Sequence, residues 1–355
     1  MSRKKIVVAM SGGVDSSTVA ALLHEQGHAV IGVTLQLYNY SSFVGKKGAC
    51  CAGQDIYDAQ ITAEEIGIPH YVLNYESVFK QSVIDDFASS YIRGETPVPC
   101  VRCNQKVKFN DLFKVAKDLG ADLLATGHYV QKIIRNGTAE LHKGFDPTKD
   151  QSYFLFTITK EQLEFLEFPV GHLNKSNTRD LANRYGLYVA DKPDSQDICF
   201  APEGSYTKII EKLRPEAFEV GDIVLKDGTI IGQHNGIAYY TIGQRRGLRI
   251  TSAEPLYVLK IDPKNNQVIV GSKADLKSQD LKIKDINWLI DEPTALECSV
   301  KLRSMHSGSF AKVTNTQDGI ANVSLQGPYE GITPGQACVM YDGTRVLGGG
   351  WIARN

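Results

Sequence analysis

A glycine-broken junction between a strand and a helix restricts the fold of this chain more than any other feature. Ile6-Val7-Val8-Ala9-Met10 reads as a buried strand, Ser11-Gly12-Gly13-Val14-Asp15-Ser16-Ser17 as a turn, and residues 18–26 as a helix stopped by Gly27. A strand passed to a helix through such a turn is the opening of a parallel βαβ arrangement. The turn is also built to cradle an anion. Glycines let backbone amides approach a phosphate, and the first helical turn adds unpaired N–H groups and the positive end of its dipole. Hydroxyls of Ser11, Ser16 and Ser17 are further donors. Asp15 would repel phosphate unless it caps the helix or faces a magnesium ion, so it points to a metal–nucleotide complex. Taken alone, the motif also reads as a plain capping turn.

No G-x-x-x-x-G-K-[ST] segment occurs, which disfavours transfer of a γ-phosphate. The heptapeptide resembles instead the pyrophosphate loop of the N-type ATP pyrophosphatases, which split ATP between its α- and β-phosphates and leave AMP on a substrate oxygen. The strand–helix alternation continues to about Tyr129, with strands predicted at 29–35, 71–73 and 122–126 and helices at 55–66, 83–91 and 109–119. This pattern predicts a doubly wound α/β domain whose ligand crevice lies at the carboxyl ends of the strands, where residues 11–17, Gly127-His128 and the region of Leu35 all fall. An Asn136-Gly137 turn predicts a hairpin over 130–141, and a helix over 176–185 precedes a polar loop at 191–201. From about Arg214 short β runs and turn signals dominate. The reading is a catalytic domain at 1–213, a central β domain at 214–277, and a C-terminal β-barrel at 278–355 built from about six strands between 283 and 352.

At 355 residues, two or three domains are expected. No apolar run approaches the length of a membrane span, and Ser2-Arg3-Lys4-Lys5 lacks a signal-peptide core, so a cytoplasmic protein without a membrane partner is expected. The formal net charge of -1 leaves any RNA contact to local basic patches.

Seven cysteines in such a chain argue against a structural disulfide framework. Cys100-Val101-Arg102-Cys103 follows Thr96-Pro97-Val98-Pro99 and reads as a loop. Arg102, Lys106 and Lys108 form a cationic neighbourhood expected to lower a thiol pKa and enlarge the nucleophilic thiolate fraction. Half of a zinc site is the alternative for C-x-x-C, with Cys199 as a third ligand, although no second C-x-x-C follows. Cys199 lies in a polar loop, Lys192-Pro193-Asp194-Ser195-Gln196-Asp197-Ile198-Cys199, where a functional thiol competes with a spectator. Cys50-Cys51 is given a packing or loop role, and Cys298 and Cys338 read as core residues of barrel strands. The segment Gly243-Gln244-Arg245-Arg246-Gly247 beside Tyr239 and Tyr240 reads either as a solvated turn or as an RNA-facing patch.

Taken in order, several segments together resemble the tRNA-specific 2-thiouridylase family almost end to end. They are the loop at 11–17, Cys50-Cys51 with Asp55 and Asp58-Ala59, Cys103-Asn104 with Lys108-Phe109, and Ala125-Thr126-Gly127-His128-Tyr129. Lys149-Asp150-Gln151-Ser152-Tyr153-Phe154, Lys192-Pro193-Asp194-Ser195 with Cys199-Phe200, and residues 240–248 complete the set. The resemblance implies ATP-dependent 2-thiolation of a tRNA wobble uridine, with ATP and magnesium, and with persulfide sulfur from a sulfur-relay protein or cysteine desulfurase. It implies ATP binding by Ala9, Met10, Ser11, Gly12, Gly13, Val14, Asp15, Ser16, Leu35 and Gly127, with Cys103 as nucleophile and Cys199 as persulfide carrier. It implies tRNA contacts at Val98, Pro99, Cys100, Lys149, Asp150, Gln151, Arg303 and Ser304. Many members have Asn where Val98 stands, and some have Asp where Cys100 stands. Cys100 makes an iron–sulfur cluster on Cys100, Cys103 and Cys199 the minority alternative to persulfide chemistry. Two rivals are kept: a small-molecule adenylating enzyme of the pyrophosphatase superfamily, and a non-catalytic RNA-binding or iron–sulfur protein.

Overall fold

The computed structural model describes residues 2–38, 51–194, 198–201, 206–316 and 319–354; Cys50, Ser195, Gln196 and Asp197 lie outside them. The chain divides into two compact units, one made of Met1–Val83, Cys100–Phe200 and Thr344–Val346, the other of Ile84–Pro99, Ala201–Gly343 and Leu347–Asn355.

In the first unit, strands β1 (Lys5–Ala9), β2 (Ala29–Gln36), β3 (His70–Asn74), β4 (Leu123–Thr126) and β7 (Leu166–Glu167) form a parallel sheet in the order β3-β2-β1-β4-β7. Ile6, Val7 and Val8 of the central strand are buried in succession, as a strand covered on both faces requires. The register sets Ala9 beside both Val33 and Thr126. The chain winds from β1 outward to β3 and then crosses to β4, so the switch point of this doubly wound sheet lies between β1 and β4. Strands β5 (Val130–Arg135) and β6 (Thr138–Lys143) form the predicted hairpin, with Asn136 and Gly137 at φ +50° and +80° supplying its two-residue turn.

The helix after β1 spans Val14–Glu25. It buries Val19, Ala20 and Leu23 with Ile6, Val8 and Val30, and Val14 and Ala21 with Ala182, Leu187 and Val189. Each large aliphatic side chain so buried contributes about 1.5–3 kcal/mol before entropy is counted. The helix starts at Val14 rather than at the predicted residue 18. Ser16, which reads as part of the turn, folds its hydroxyl back onto the chain and donates to Gly13 O at 3.2 Å, as Thr18 Oγ1 does to Val14 O at 2.8 Å.

A second departure concerns the cysteines. Cys100 and Cys103 are not in a loop but on a helix, Pro99–Cys103, that runs on through a wider-turned stretch, Asn104–Leu112, into Phe113–Asp118. Pro99 opens that helix, where its missing N–H costs nothing, and Val101, Val107 and Leu112 are buried along it. Two short helices, Lys160–Phe165 and Tyr206–Leu213, were not legible in the pattern.

In the second unit, β8 (Gly221–Leu225), β9 (Ile230–His234), β10 (Tyr257–Asp262) and β11 (Gln267–Gly271) form a four-stranded sheet in the order β10-β11-β8-β9. Six strands follow: β12 (Lys277–Trp288), β13 (Ala295–Lys301), β14 (Ser309–Asn315), β15 (Ile320–Glu330), β16 (Ala337–Asp342) and β17 (Arg345–Ile352). Strand β12 pairs with both β15 and β17 and closes them into a barrel. It begins ahead of the predicted residue 283 because Leu281 and Ile283 point inward while Lys282 and Lys284 stay exposed, so its polar half still alternates. Cys298 and Cys338 are buried in the barrel core with Val300, Val313 and Met340.

Candidate active site

The turn at 11–16 needs its glycine. Gly12 sits at φ +72°, and a Cβ on it would run into the backbone of Asp55, with the carbonyl carbon 2.7 Å away. A Cβ on Gly127, just past β4, would lie 2.8 Å from Ser16 N, so β4 ends against the start of the helix. Gly13 is the extended N-cap and offers no side-chain acceptor. The amides of Val14, Asp15 and Ser16 therefore have no intrahelical acceptor and are left as donors at the helix start. Ser11 N donates to Ser16 Oγ at 3.1 Å, and the two hydroxyls share a hydrogen bond of 3.2 Å. Met10 is buried, donates to Val33 O and accepts from Thr34 Oγ1 at 2.8 Å. Leu35 pairs with Leu73 near the carboxyl end of β2. Ala9, Met10, the loop, Leu35 and Gly127 thus occupy one edge of the sheet, beside its switch point.

Gly13, not Asp15, is the N-cap of the helix, and Asp15 is held by neighbouring side chains. Its carboxylate is bound by Lys175 Nζ at 2.6 and 2.8 Å and accepts from the Tyr129 hydroxyl at 2.7 Å. Tyr129 also hydrogen-bonds Thr178 Oγ1 at 2.9 Å, and burial followed by the Asp15 charge raises its phenol pKa. Lys175 Nζ lies 2.8 Å from Asp194 as well, and Asp194 meets Lys149 at 2.8 Å and Arg179 at 3.2 Å. Partial burial works against the Asp194 charge, but Lys149 and Lys175 outweigh it and hold its carboxyl down at about 2. On the other flank, Lys192 Nζ donates to Gly12 O at 2.9 Å, to Asp55 at 2.7 Å and to the buried carboxylate of Asp58. Burial opposes the Lys192 ammonium; the two carboxylates prevail and raise its pKa. Sequence reasoning missed Lys175 and gave Lys192 no role of its own. One signal was present: Lys175 is the first residue of helix Lys175–Arg184, where a cation opposes the helix dipole.

The thiols come together but are not ionised as expected. Cys103 is buried, whereas Cys100 and Cys199 are exposed. Burial pushes the Cys103 thiol up, with Lys108 opposing and Cys100 adding. Cys199 is accessible but crowded, and the loss of water around it pushes its thiol up to about 12, with Cys103 and Cys100 adding and Lys108 opposing. Cys100 is raised in the same way. The expected lowering by Arg102, Lys106 and Lys108 therefore fails: Arg102 is turned to Gln105 at 3.0 Å, Lys106 is exposed, and desolvation exceeds the pull of Lys108. Alkylation of Cys199 by iodoacetamide, followed by mass spectrometry of its peptide, is expected to be slow at pH 7 and to rise about 10-fold per pH unit up to pH 10. A plateau near pH 8 would contradict the raised pKa.

His128 follows Gly127. Burial first, and then Lys108, hold its pKa down at about 3, and its Nδ1 shares a 2.9 Å hydrogen bond with Thr126 Oγ1. It is a neutral, hydrogen-bonded imidazole, with its ring 5.8 Å from Phe109 on the helical run that carries Cys103. Gly127, His128 and Tyr129 therefore face three neighbours in succession: the loop, the cysteine-bearing helix and Asp15.

A family model described as a tRNA methyl transferase HUP domain matches residues 4–203; a tRNA methyl transferase PRC-barrel domain matches 208–272, and an aminomethyltransferase beta-barrel domain matches 278–352. A tRNA-specific 2-thiouridylase of Rickettsia africae (strain ESF-5) is 60% identical over 352 residues, covering 98% of this chain and 96% of its own length. The chain belongs to the tRNA-specific 2-thiouridylase family. A 2-thiouridylase of Rickettsia felis (strain URRWXCal2) is also 60% identical, over 99% of this chain and 97% of its own. Among solved structures, a 4-thiouridine synthetase–RNA complex with bound ATP aligns over 60% of this chain and 51% of its own at 19% identity and a TM-score of 0.36, too distant to bear on the site.

For this 2-thiouridylase family member, the residues linked to tRNA by resemblance differ in surroundings. Val98 is half-buried, Pro99 buried and Cys100 exposed, one turn before Cys103. Lys149 is held by Asp194. Asp150 accepts from the amides of Gly144 and Ser152, and Gln151 accepts from Tyr129 N at 2.8 Å, so both side chains brace their own loop. Arg303 donates to Gly331 O at 2.8 Å and Thr333 Oγ1 at 2.9 Å, beside a half-buried Ser304. Tyr240 is buried against His234 and has no free face for a base, whereas Tyr239, Arg245 and Arg246 are exposed. Among the described residues no three His, Cys, Asp or Glu side chains are grouped to hold a metal ion. Among them, too, no helix is long and apolar enough to cross a membrane.

Proposed function

We propose that this protein is a cytoplasmic tRNA-uridine 2-sulfurtransferase that activates the C2 oxygen of a wobble uridine with ATP and replaces it with sulfur carried on Cys199. The reading is supported most by one tie: the segment leading to Cys199 is bonded through Lys192 Nζ to the Gly12 carbonyl of the phosphate loop. Catalysis is assigned to residues 1–213, and the β domains at 214–277 and 278–355 to holding the tRNA.

Oxygen at uracil C2 is a poor leaving group. Ala9, Met10, Ser11, Gly12, Gly13, Val14, Asp15 and Ser16, with Leu35 and Gly127, bind ATP, and the amides at the helix start hold the departing pyrophosphate. Magnesium is expected on the phosphate oxygens, with Asp15 as the loop's own carboxylate. The wobble base, splayed from its single-stranded loop against Val98, Pro99 and Cys100, attacks the α-phosphate through its C2 oxygen and pyrophosphate leaves. The terminal sulfur of a Cys199 persulfide, loaded by a donor protein, attacks C2, and AMP departs with the former oxygen. The Cys103 thiolate then attacks Cys199 Sγ. The S–S bond to the base breaks, 2-thiouridine is freed, and a Cys103–Cys199 disulfide remains for a two-electron thiol reductant to reset. Lys149, Asp150 and Gln151, together with Arg303 and Ser304, position the tRNA.

Incubation with wobble-uridine tRNA, Mg-ATP and a persulfide donor is expected to yield 2-thiouridine, AMP and pyrophosphate in equal amounts. AMP formed without tRNA would favour a small-molecule adenylating enzyme, and tRNA binding without ATP cleavage a non-catalytic RNA-binding protein.

A further inference from the structure

Lys175 is placed against the rules of helix stability. It is the first residue of helix Lys175–Arg184, at a positive dipole end that favours anions, and it lies beside the start of a second helix, Val14–Glu25. Its side chain is only 12% exposed. Three carboxylate contacts compensate: Asp15 Oδ1 at 2.6 Å, Asp15 Oδ2 at 2.8 Å and Asp194 Oδ1 at 2.8 Å. The Tyr129 ring lies 5.6 Å from the ammonium. Asp15 stands in the first turn of its own helix, where a carboxylate is favoured, so the cation is the member of the pair that neither helix start favours. The arrangement makes sense if the anion meant for this spot is not part of the protein.

We propose that Lys175 is a triphosphate-binding residue, for which the carboxylates of Asp15 and Asp194 are resting counter-ions standing where oxygens of the ATP β,γ-pyrophosphate bind. The inference rests on the pyrophosphatase reading of the loop and deepens it. The loop amides are neutral donors, and Lys192 is bound to Gly12, Asp55 and Asp58 on the loop's other flank. Lys175 is the ammonium that meets the loop at its helix start, through Asp15. On arrival of ATP it exchanges carboxylate for phosphate, and Arg179 and Lys149 remain to hold Asp194. The pyrophosphate half of ATP thereby gains a counter-charge that AMP has no use for.

The test compares ATP with AMP, by equilibrium dialysis on the full chain, for the wild type, Lys175→Gln, Lys175→Arg and Asp194→Asn. Lys175→Gln is expected to weaken ATP by about 10- to 100-fold while AMP stays within about 2-fold, and Lys175→Arg to recover most of the loss. Asp194→Asn, which removes a competing carboxylate, is expected to leave ATP binding equal or tighter, and it carries the test if Lys175→Gln does not fold. Equal weakening of ATP and AMP in Lys175→Gln would show a merely structural lysine. Unchanged ATP affinity in it, or weakened ATP in Asp194→Asn, would overturn the proposal as well. Failure of the pyrophosphatase reading is distinguishable, because it appears in the wild type as ADP in place of AMP, or as no ATP binding, before any variant is compared.

Discussion

Cys199→Ser is expected to abolish 2-thiouridine formation, by more than about a thousandfold, while tRNA-dependent release of pyrophosphate from ATP continues for one turnover. The hydroxyl cannot carry a sulfane sulfur, but it leaves the loop, Lys192 and Asp194 untouched, so adenylation is separated from sulfur transfer. Cys103→Ser is expected to stop multiple turnover too, and to trap the base as a mixed disulfide on Cys199 that dithiothreitol releases. Nucleoside mass spectrometry and a pyrophosphate assay on the same samples check both. Normal 2-thiouridine yield in either variant would remove that cysteine from the mechanism.

Gly12→Ala is expected to lose ATP cleavage and about 2–4 kcal/mol of stability. Two costs add. The residue must adopt φ +72°, which disfavours a side chain, and its Cβ must occupy space held by the Asp55 backbone. Movement of the loop away from Asp55 would also carry it from Lys192, which is bonded to both. Urea denaturation reads the stability and pyrophosphate release reads the chemistry. Gly27→Ala is a control for backbone strain alone, since it has a similar φ of +84° and open space around it, and it is expected to cost about 1 kcal/mol with activity retained.

The features that read correctly from the sequence depend on neighbours in the chain. The buried run of β1, the Asn136-Gly137 turn and the alternation of the barrel strands each carry their signal within a dozen residues. The pattern also placed the loop, Leu35 and Gly127 on one sheet edge, because parallel strands put all their carboxyl ends on the same side. What stayed hidden depends on distant partners. Lys175 and Asp15 are 160 positions apart, and Lys192 and Gly12 are 180 apart, so no local window joins them. Pro97 and Pro99 read as breakers and so predict a loop where the cysteine helix stands, although proline is at home in a first helical turn. The thiol pKa values were misjudged for a similar reason: cations nearby in sequence are visible, whereas the protein mass that excludes water is not.

The raised thiols of Cys103 and Cys199 also bear on chemical durability. Peroxide attacks the ionised sulfur far faster than the protonated one, so an unloaded molecule resists conversion to sulfenic and sulfinic acids despite having a solvent-accessible sulfur. On the proposed chemistry, vulnerability is deferred to the loaded state, when the carried sulfur is intrinsically more acidic than a thiol. Oxidative injury should therefore track the supply of sulfane sulfur rather than the abundance of the protein.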